Sequence, residues 1–321
     1  MRFFRFLLLG CLMVMAVAAN AQTYPDKSKP VRIIVPFGAG ISVDLLARAM
    51  SRAMSEQAGL NVVVDNRPGG EAIIGAQAAK AAAPDGYTIF LGTISTQAMN
   101  PHMFDKLPYD PIADFIPLVG VGTTPLMVNL GPTTSFKNVR EFIAAARTSP
   151  GKYTLGIASS FTRLTAEVFQ KAAGVDMLVV PHKNLTDAVL GLASSQLDMV
   201  IVDSATAGPY YTKGVRPIAT TGATRTNSFP NTPTLREEGL ADFEVVGWFA
   251  AYFPAKTPAA VTATMREILK NAVKSKYVSD VRNNFAMEPL ELTGDQLDAF
   301  QRSELEKWGK AIRAANMGPK P

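Results

Sequence analysis

Four short stretches of this chain concentrate groups suited to holding a small anion. Residues 38–44 (Gly-Ala-Gly-Ile-Ser-Val-Asp), 92–96 (Gly-Thr-Ile-Ser-Thr), 159–162 (Ser-Ser-Phe-Thr) and 182–187 (His-Lys-Asn-Leu-Thr-Asp) are rich in glycine, hydroxyl or amide groups. Neutral donors of this kind hold a carboxylate by charge-assisted hydrogen bonds without a buried counter-charge, which keeps the desolvation cost moderate. Groups for catalysis are sparse. The chain has two histidines, His102 and His182, and a single cysteine, Cys11. Gly-x-Ser-x-Gly, His-Glu-x-x-His and P-loop patterns are absent. Gly38-Ala-Gly40 lacks the third glycine of a dinucleotide fingerprint, because position 43 is Val. No histidines and carboxylates recur at metal-ligand spacing, so neither a metal nor a cofactor is expected.

The elements that must position these stretches alternate along the chain. Val31-Arg-Ile-Ile-Val35 is a β-branched run stopped by Pro36, and Leu46, Ala49, Met50 and Ala53 recur at helical spacing after Ser42, read as the N-cap. A helix opening after a glycine turn presents unpartnered N–H groups and the positive end of its dipole. Strands at 61–65 and 87–91 flank a helix at 74–83, and strand–helix alternation means a parallel sheet. The same pattern returns in the middle of the chain: helix 139–147, strand 153–157, helix 163–173, strand 177–180, helix 186–195 and strand 197–202. A short helix is expected from Thr232-Pro233, an apolar strand at 243–252, one helix at 258–275, and a last helix started by a Thr293-Gly-Asp-Gln296 capping box. The fold class is therefore α/β, with two mostly parallel sheets and a hinge between them. One domain is expected at 22–122 with 248–321, the other at 123–247. Ligands gather where strands of such sheets end.

The first residues stand apart from this pattern. Met1-Arg-Phe-Phe-Arg5 is basic, 6–18 is apolar, and Ala19-Asn-Ala21 is a small-residue cleavage site. A secretory signal cleaved after Ala21 is expected, with export to the periplasm. Leu8-Leu-Gly-Cys11 loosely resembles a lipoprotein box and is the rival processing site. Cleavage after Ala21 removes the only cysteine, leaving stability to packing rather than disulfides. Losing Arg2 and Arg5 lowers the net charge from +5 to +3, with the remaining cations dispersed, so nucleic acid is not an expected partner.

Several motifs carry a family resemblance. Val35-Pro-Phe37, Gly40 with Asp44, Asn66-Arg-Pro-Gly69, Ile74-Gly-Ala76, Pro84-Asp-Gly-Tyr87, Asn100-Pro101, Leu107-Pro-Tyr-Asp-Pro111, Asp114-Phe115 and Asp203 resemble the Bug family. These are the extracytoplasmic solute receptors of tripartite tricarboxylate transporters, and the similarity covers essentially the whole chain after the signal. It implies a two-domain flytrap fold of the periplasmic-binding-protein kind, a cleft for small carboxylates, no catalysis and no cofactor. It also implies a carboxylate held between the first strand–helix loop and its neighbours, often through ordered waters. Three departures bear on the ligand. Ile41 stands where the family pattern Phe-x-x-Gly-Gly-x-x-Asp has its second glycine, removing close backbone approach there. Ser159-Ser-Phe-Thr-Arg-Leu164 replaces a Gly-rich loop into Ser-His-Leu, and Pro181-His-Lys-Asn184 replaces Pro-Tyr-Lys-Gly.

On this reading the ligand is lined by Phe37, Gly40, Ser42, Thr93 and Ser95 from one lobe, and by Ser160, Phe161, Thr162, Arg163, His182 and Asp203 from the other. Phe161 and Arg163 either supply an aromatic wall and a second carboxylate clamp, favouring a dicarboxylic or aromatic acid, or pack in the hinge and point into water. His182 either donates to an anion or is a structural histidine. Asp44 is expected to order its own loop by accepting backbone N–H bonds, and the charged stretch 302–310 reads as a solvated face. The expected function is a monomeric periplasmic receptor that closes on a small organic acid and delivers it to a tripartite membrane permease or a sensor. From other classes, the alternatives are a hydrolase or isomerase of a small carboxylate, with only His182 and Asp203 as acid–base candidates, and a purely structural surface protein.

Overall fold

The apolar runs build two sheets, each around a parallel triplet. The computed structural model describes residues 24–319; the expected signal, its cleavage after Ala21 and the Cys11 alternative lie outside the described residues. In the first sheet, β1 (Val31–Val35) buries every side chain but Arg32 and pairs in parallel with β2 (Val62–Asn66) and β3 (Thr88–Thr93). Next to β3 lies β10 (Val246–Pro254), antiparallel to it and to β4 (Phe115–Pro125), giving the order β2-β1-β3-β10-β4. In the second sheet, β6 (Thr154–Ile157) pairs in parallel with β7 (Leu178–Pro181) and β8 (Met199–Val202). Its antiparallel strand is β5 (Met127–Leu130), set between β8 and β9 (Arg216–Thr220), for the order β7-β6-β8-β5-β9. Each sheet thus takes one strand that arrives through a crossing. Strands β3 and β10 are buried nearly throughout, as central strands covered on both faces must be.

Ten helices pack around these sheets among the described residues: α1 (Ser42–Ala58), α2 (Ile73–Lys80), α3 (Asn100–Met103), α4 (Val139–Arg147), α5 (Ser160–Ala173), α6 (Leu185–Ala193), α7 (Ser204–Ala207), α8 (Ala259–Val273), α9 (Lys276–Asn284) and α10 (Asp295–Ala314). Helix α1 buries Leu46, Met50 and Ala53 and ends on Gly59 at φ 67, a left-handed position that favours glycine. The helix expected at 258–275 is α8, and Ser275, accepting the Val278 N–H, starts a further helix, α9, beyond it. Two local expectations give way. Thr234 pairs with Thr220 instead of entering a helix after Thr232-Pro233. Thr293 pairs with Val119, which leaves Gly294, at φ 51 and without a side-chain bond, as the N-cap of α10.

The sheets exchange strands at two crossings. Strand β4 runs to Pro125 before β5 begins at Met127, and β10 begins at Val246, so pairing carries both strands slightly past the expected divisions at 122 and 248. Thr221, fully buried, ties these crossings together. Its hydroxyl accepts the Leu126 N–H at 2.8 Å and donates to the Val245 carbonyl at 2.6 Å. Its own N–H donates to the Leu126 carbonyl at 2.9 Å, and its carbonyl accepts the Val245 N–H at 3.0 Å. Thr221→Val keeps the shape but orphans a buried N–H and a buried C=O. The expected loss is about 2–4 kcal/mol, read from urea unfolding at unchanged m-value; a loss below about 0.5 kcal/mol would mean that the hydroxyl is dispensable at the hinge.

Candidate functional site

The carboxyl ends of four parallel strands meet at one cavity between the sheets. Phe37 and Ser42 follow β1, Thr93 ends β3, Ser159, Phe161 and Thr162 follow β6, and Asp203 follows β8; all line it. Its floor comes from the crossings, through Thr124, Leu126, Gly247 and Trp248. The cavity measures about 40 Å3, room for only a few waters at ~10–15 Å3 each.

The first lobe presents open donors. Helix α1 starts at Ser42 after Ile41, which makes no side-chain cap bond, so the first N–H groups of its opening turn have no partner within the helix. Ser42 is thus the first helical residue rather than the N-cap. Asp44, buried one position from the cavity wall, accepts from the Gly40 N–H at 2.8 Å, the Asn66 amide at 3.0 Å and Arg48 Nε at 2.9 Å. Those bonds hold its carboxyl below the ordinary carboxylate range, against an opposing push from burial. Next to α1, Thr93 is 3% exposed and its hydroxyl has no partner. Its backbone N–H is taken by the Thr96 hydroxyl at 3.0 Å, where the chain turns into the π-wound segment Ser95–Met99. Ser95 also lines the cavity.

The second lobe, by contrast, spends its hydroxyls on itself. Ser159 caps α5 reciprocally with Thr162, each side chain serving the other's backbone N–H. Asp203 caps α7, accepting from the Thr206 N–H at 3.0 Å and the Thr206 hydroxyl at 2.8 Å. Burial pushes its carboxyl above the ordinary carboxylate range, and the bonds from Thr206 and from Ser42 across the cavity only partly offset this. An acid held protonated longer in the folded chain than in the unfolded one contributes stability at low pH that is lost as pH rises from its ordinary value of 3.8 through the raised one. Asp203→Asn keeps a capping residue and removes the charge. It is expected to flatten that part of the stability–pH profile and to be more stable than the parent at neutral pH, by on the order of 1–3 kcal/mol in thermal unfolding followed from pH 4 to 8. An unchanged slope would show that Asp203 titrates alike in both states.

Four of the residues expected to line the ligand do not line this cavity. Gly40, at φ 84, gives its N–H to Asp44 and does not reach the cavity. Ser160 and Arg163 sit one helical turn apart on the face of α5 turned away from the cavity, where Ser160 bonds Glu71 at 2.7 Å and also Asn100, and Arg163 pairs with Glu71. Of the two readings of Arg163, a second carboxylate clamp or a side chain in water, neither describes its place here, an inter-lobe ion pair. His182 sets Nδ1 against the Val180 carbonyl at 3.0 Å and, with Arg163, lines a neighbouring recess. Ser159 faces the cavity where Ser160 was expected, because helix α5 begins at 160 and the N-cap side chain points back over the strand ends. Ile41, the departure read as bearing on the ligand, is on the wall, and Leu185, Trp248 and Phe249 complete it without having been expected there. No cluster of metal-binding side chains occurs among the described residues.

Two α/β lobes with a cavity at the strand ends of both define the class of the periplasmic binding proteins. The solved structure of BugD, a periplasmic binding protein, aligns with TM-score 0.86 at 25% identity over 92% of this chain and 100% of that one. R. palustris Rpa4515, solved with adipate, aligns with TM-score 0.85 at 27% identity over 92% of this chain and 100% of that one. In sequence, Protein BugT of Bordetella pertussis is 29% identical over 302 residues, or 93% of this chain and 92% of BugT. The model of the family described as tripartite tricarboxylate transporter family receptor (TctC) matches residues 46–317, and the chain belongs to that family. The resemblance carried by Asn66-Arg-Pro-Gly69 and Leu107-Pro-Tyr-Asp-Pro111 is thereby borne out. No helix among the described residues is long and apolar enough to cross a membrane.

Proposed function

We propose that this chain captures a small organic acid between its lobes as the periplasmic receptor of a tripartite transporter, acting as a monomer without turnover. One observation carries the reading: the uncapped start of α1 and the buried, unpartnered Thr93 hydroxyl line the same inter-lobe cavity. Helix N–H groups with a hydroxyl beside them are a carboxylate seat, and the helix dipole adds to the attraction. Adipate in Rpa4515 supports the same chemistry. An acid bridging the lobes stabilises the shut arrangement by contacts that the parted lobes cannot both make, and Glu71–Arg163 adds to closure. Parting of the lobes is also the way in, given the small closed volume. A hydrolase or isomerase on this scaffold has little to work with: Asp203 is the only titratable side chain on the cavity wall, and His182 is outside it.

Thermal shift over mono-, di-, tri- and aromatic carboxylates tests the proposal. A ligand at ~100 times its Kd adds about 2.7 kcal/mol of apparent stability. Silence across the panel, in melting and in calorimetry, would overturn the receptor reading; chemical conversion of a bound acid, followed by NMR, would favour the enzyme.

A further inference from the structure

Ionisable groups and free donors are distributed unevenly around the cavity. Among the described residues, Asp203 is the only ionisable one on the wall, which carries no lysine, arginine or histidine. The cations nearest in sequence to the wall residues, Arg163 and Lys183, line the neighbouring recess, and Arg163 is engaged by Glu71. Donors left free gather on one side: the first turn of α1, the Thr93 hydroxyl and Ser95. On the remaining sides the hydroxyls of Ser159, Thr162 and Thr124 are committed to cap bonds or, for Thr124, to the Pro125 carbonyl. Between them stand apolar groups, among them Ile41, Leu126, Phe161, Leu185, Val202 and Trp248. The Trp248 N–H is also committed, donating to Glu304 at 3.0 Å.

Such a wall can hydrogen-bond one carboxylate and offers no free donor to a second. We infer that the cavity selects a monocarboxylic acid with a compact apolar or aromatic body over di- and tricarboxylic acids. The inference rests on the receptor reading above and departs from the dicarboxylate seen in Rpa4515. A second carboxylate would have to shed its water against Leu126, Phe161 or Leu185, and an unpaired buried ion costs several kcal/mol. Asp203 adds to the exclusion: ionised, it repels a second anion, and protonated, it offers a single donor.

Isothermal calorimetry on the whole exported chain decides the matter, with 3-methylbutyrate, benzoate and phenylacetate set against succinate, adipate and citrate. The monocarboxylates are expected to bind at least about 100-fold tighter than the di- and tricarboxylates, and benzamide, which lacks the charge, to lose most of the affinity. Leu185→Arg, at a half-buried position on the apolar side, is expected to raise affinity for succinate or adipate by about 10-fold or more by supplying the missing cation. Adipate or succinate binding the parent as tightly as benzoate would overturn the inference while leaving a carboxylate receptor standing. No gain in Leu185→Arg, read in a variant that melts like the parent, would overturn its charge argument. Absence of binding by all six acids would bring down both readings together.

Discussion

Gly247→Val is expected to abolish ligand binding while leaving the fold in place. A Cβ at this position would stand 2.8 Å from Phe161 Cε1 and 3.2 Å from its Cζ, with Thr124 Cγ2 at 3.5 Å. The first of these is closer than packed atoms approach, so the Phe161 ring must move. Both residues line the cavity, and the ring has two ways to go: into the cavity, or against the opposite lobe so that closure stalls. Either takes the space an acid needs. Valine suits a strand, and Gly247 is not at positive φ, so the backbone of β10 accepts the change. A rise in Kd of at least ~100-fold, about 2.7 kcal/mol, is expected in calorimetry, together with loss of the ligand-induced thermal shift. Circular dichroism should keep its native form. Gly247→Ala, with less bulk, should fall between valine and the parent. Undiminished affinity in the valine variant would mean that the acid sits elsewhere.

The second large effect is expected at Glu304, on α10, remote from the strand ends. The residue is 7% exposed, and its carboxylate accepts from both tryptophans of the chain, Trp248 Nε1 at 3.0 Å and Trp308 Nε1 at 2.6 Å, while Lys307 approaches at 3.0 Å. Glu304→Leu would leave two buried indole donors unpaired and is expected to cost about 3–5 kcal/mol in urea unfolding. Trp248 forms part of the cavity wall, so its emission should shift and ligand affinity should fall as well. Glu304→Gln keeps one acceptor oxygen and should recover part of both losses. A stability change below about 1 kcal/mol in the leucine variant would show that the indoles find other partners.

Glu304 also marks where local pattern stops informing. Along 302–310 the charges alternate as on a solvated face, and in one dimension nothing distinguishes Glu304 from Glu306, which pairs with Lys310 in the open. Its burial comes from Trp248 of β10 and the 95–99 segment packing against α10, contacts between segments far apart in the chain. The two-sheet α/β organisation, in contrast, was legible because β-branched runs and helical spacing are local, and the strand-end stretches followed from alternation. Phe37, Ser42, Thr93, Ser95, Phe161, Thr162 and Asp203 do converge on one cavity. What local pattern leaves open is which way a helical side chain turns. Moving the start of α5 from 163 to 160 swings Ser160 and Arg163 away and brings in Ser159. Glu71, which engages them, sits in a turn at φ 52 with no signal of a partner some ninety positions later. His102 looks like a free loop residue in the sequence, yet it packs under α10 against the Leu305 carbonyl at 2.8 Å.

Thr221 bears on how occupancy would be announced. Because one residue clasps both connecting strands with four hydrogen bonds, the strands cannot slide independently, and the lobes share a single axle. Motion is thereby confined to a turn about that axle. A permease or sensor touching the outer surfaces of both lobes would therefore read cargo through a single coordinate, the angle between them.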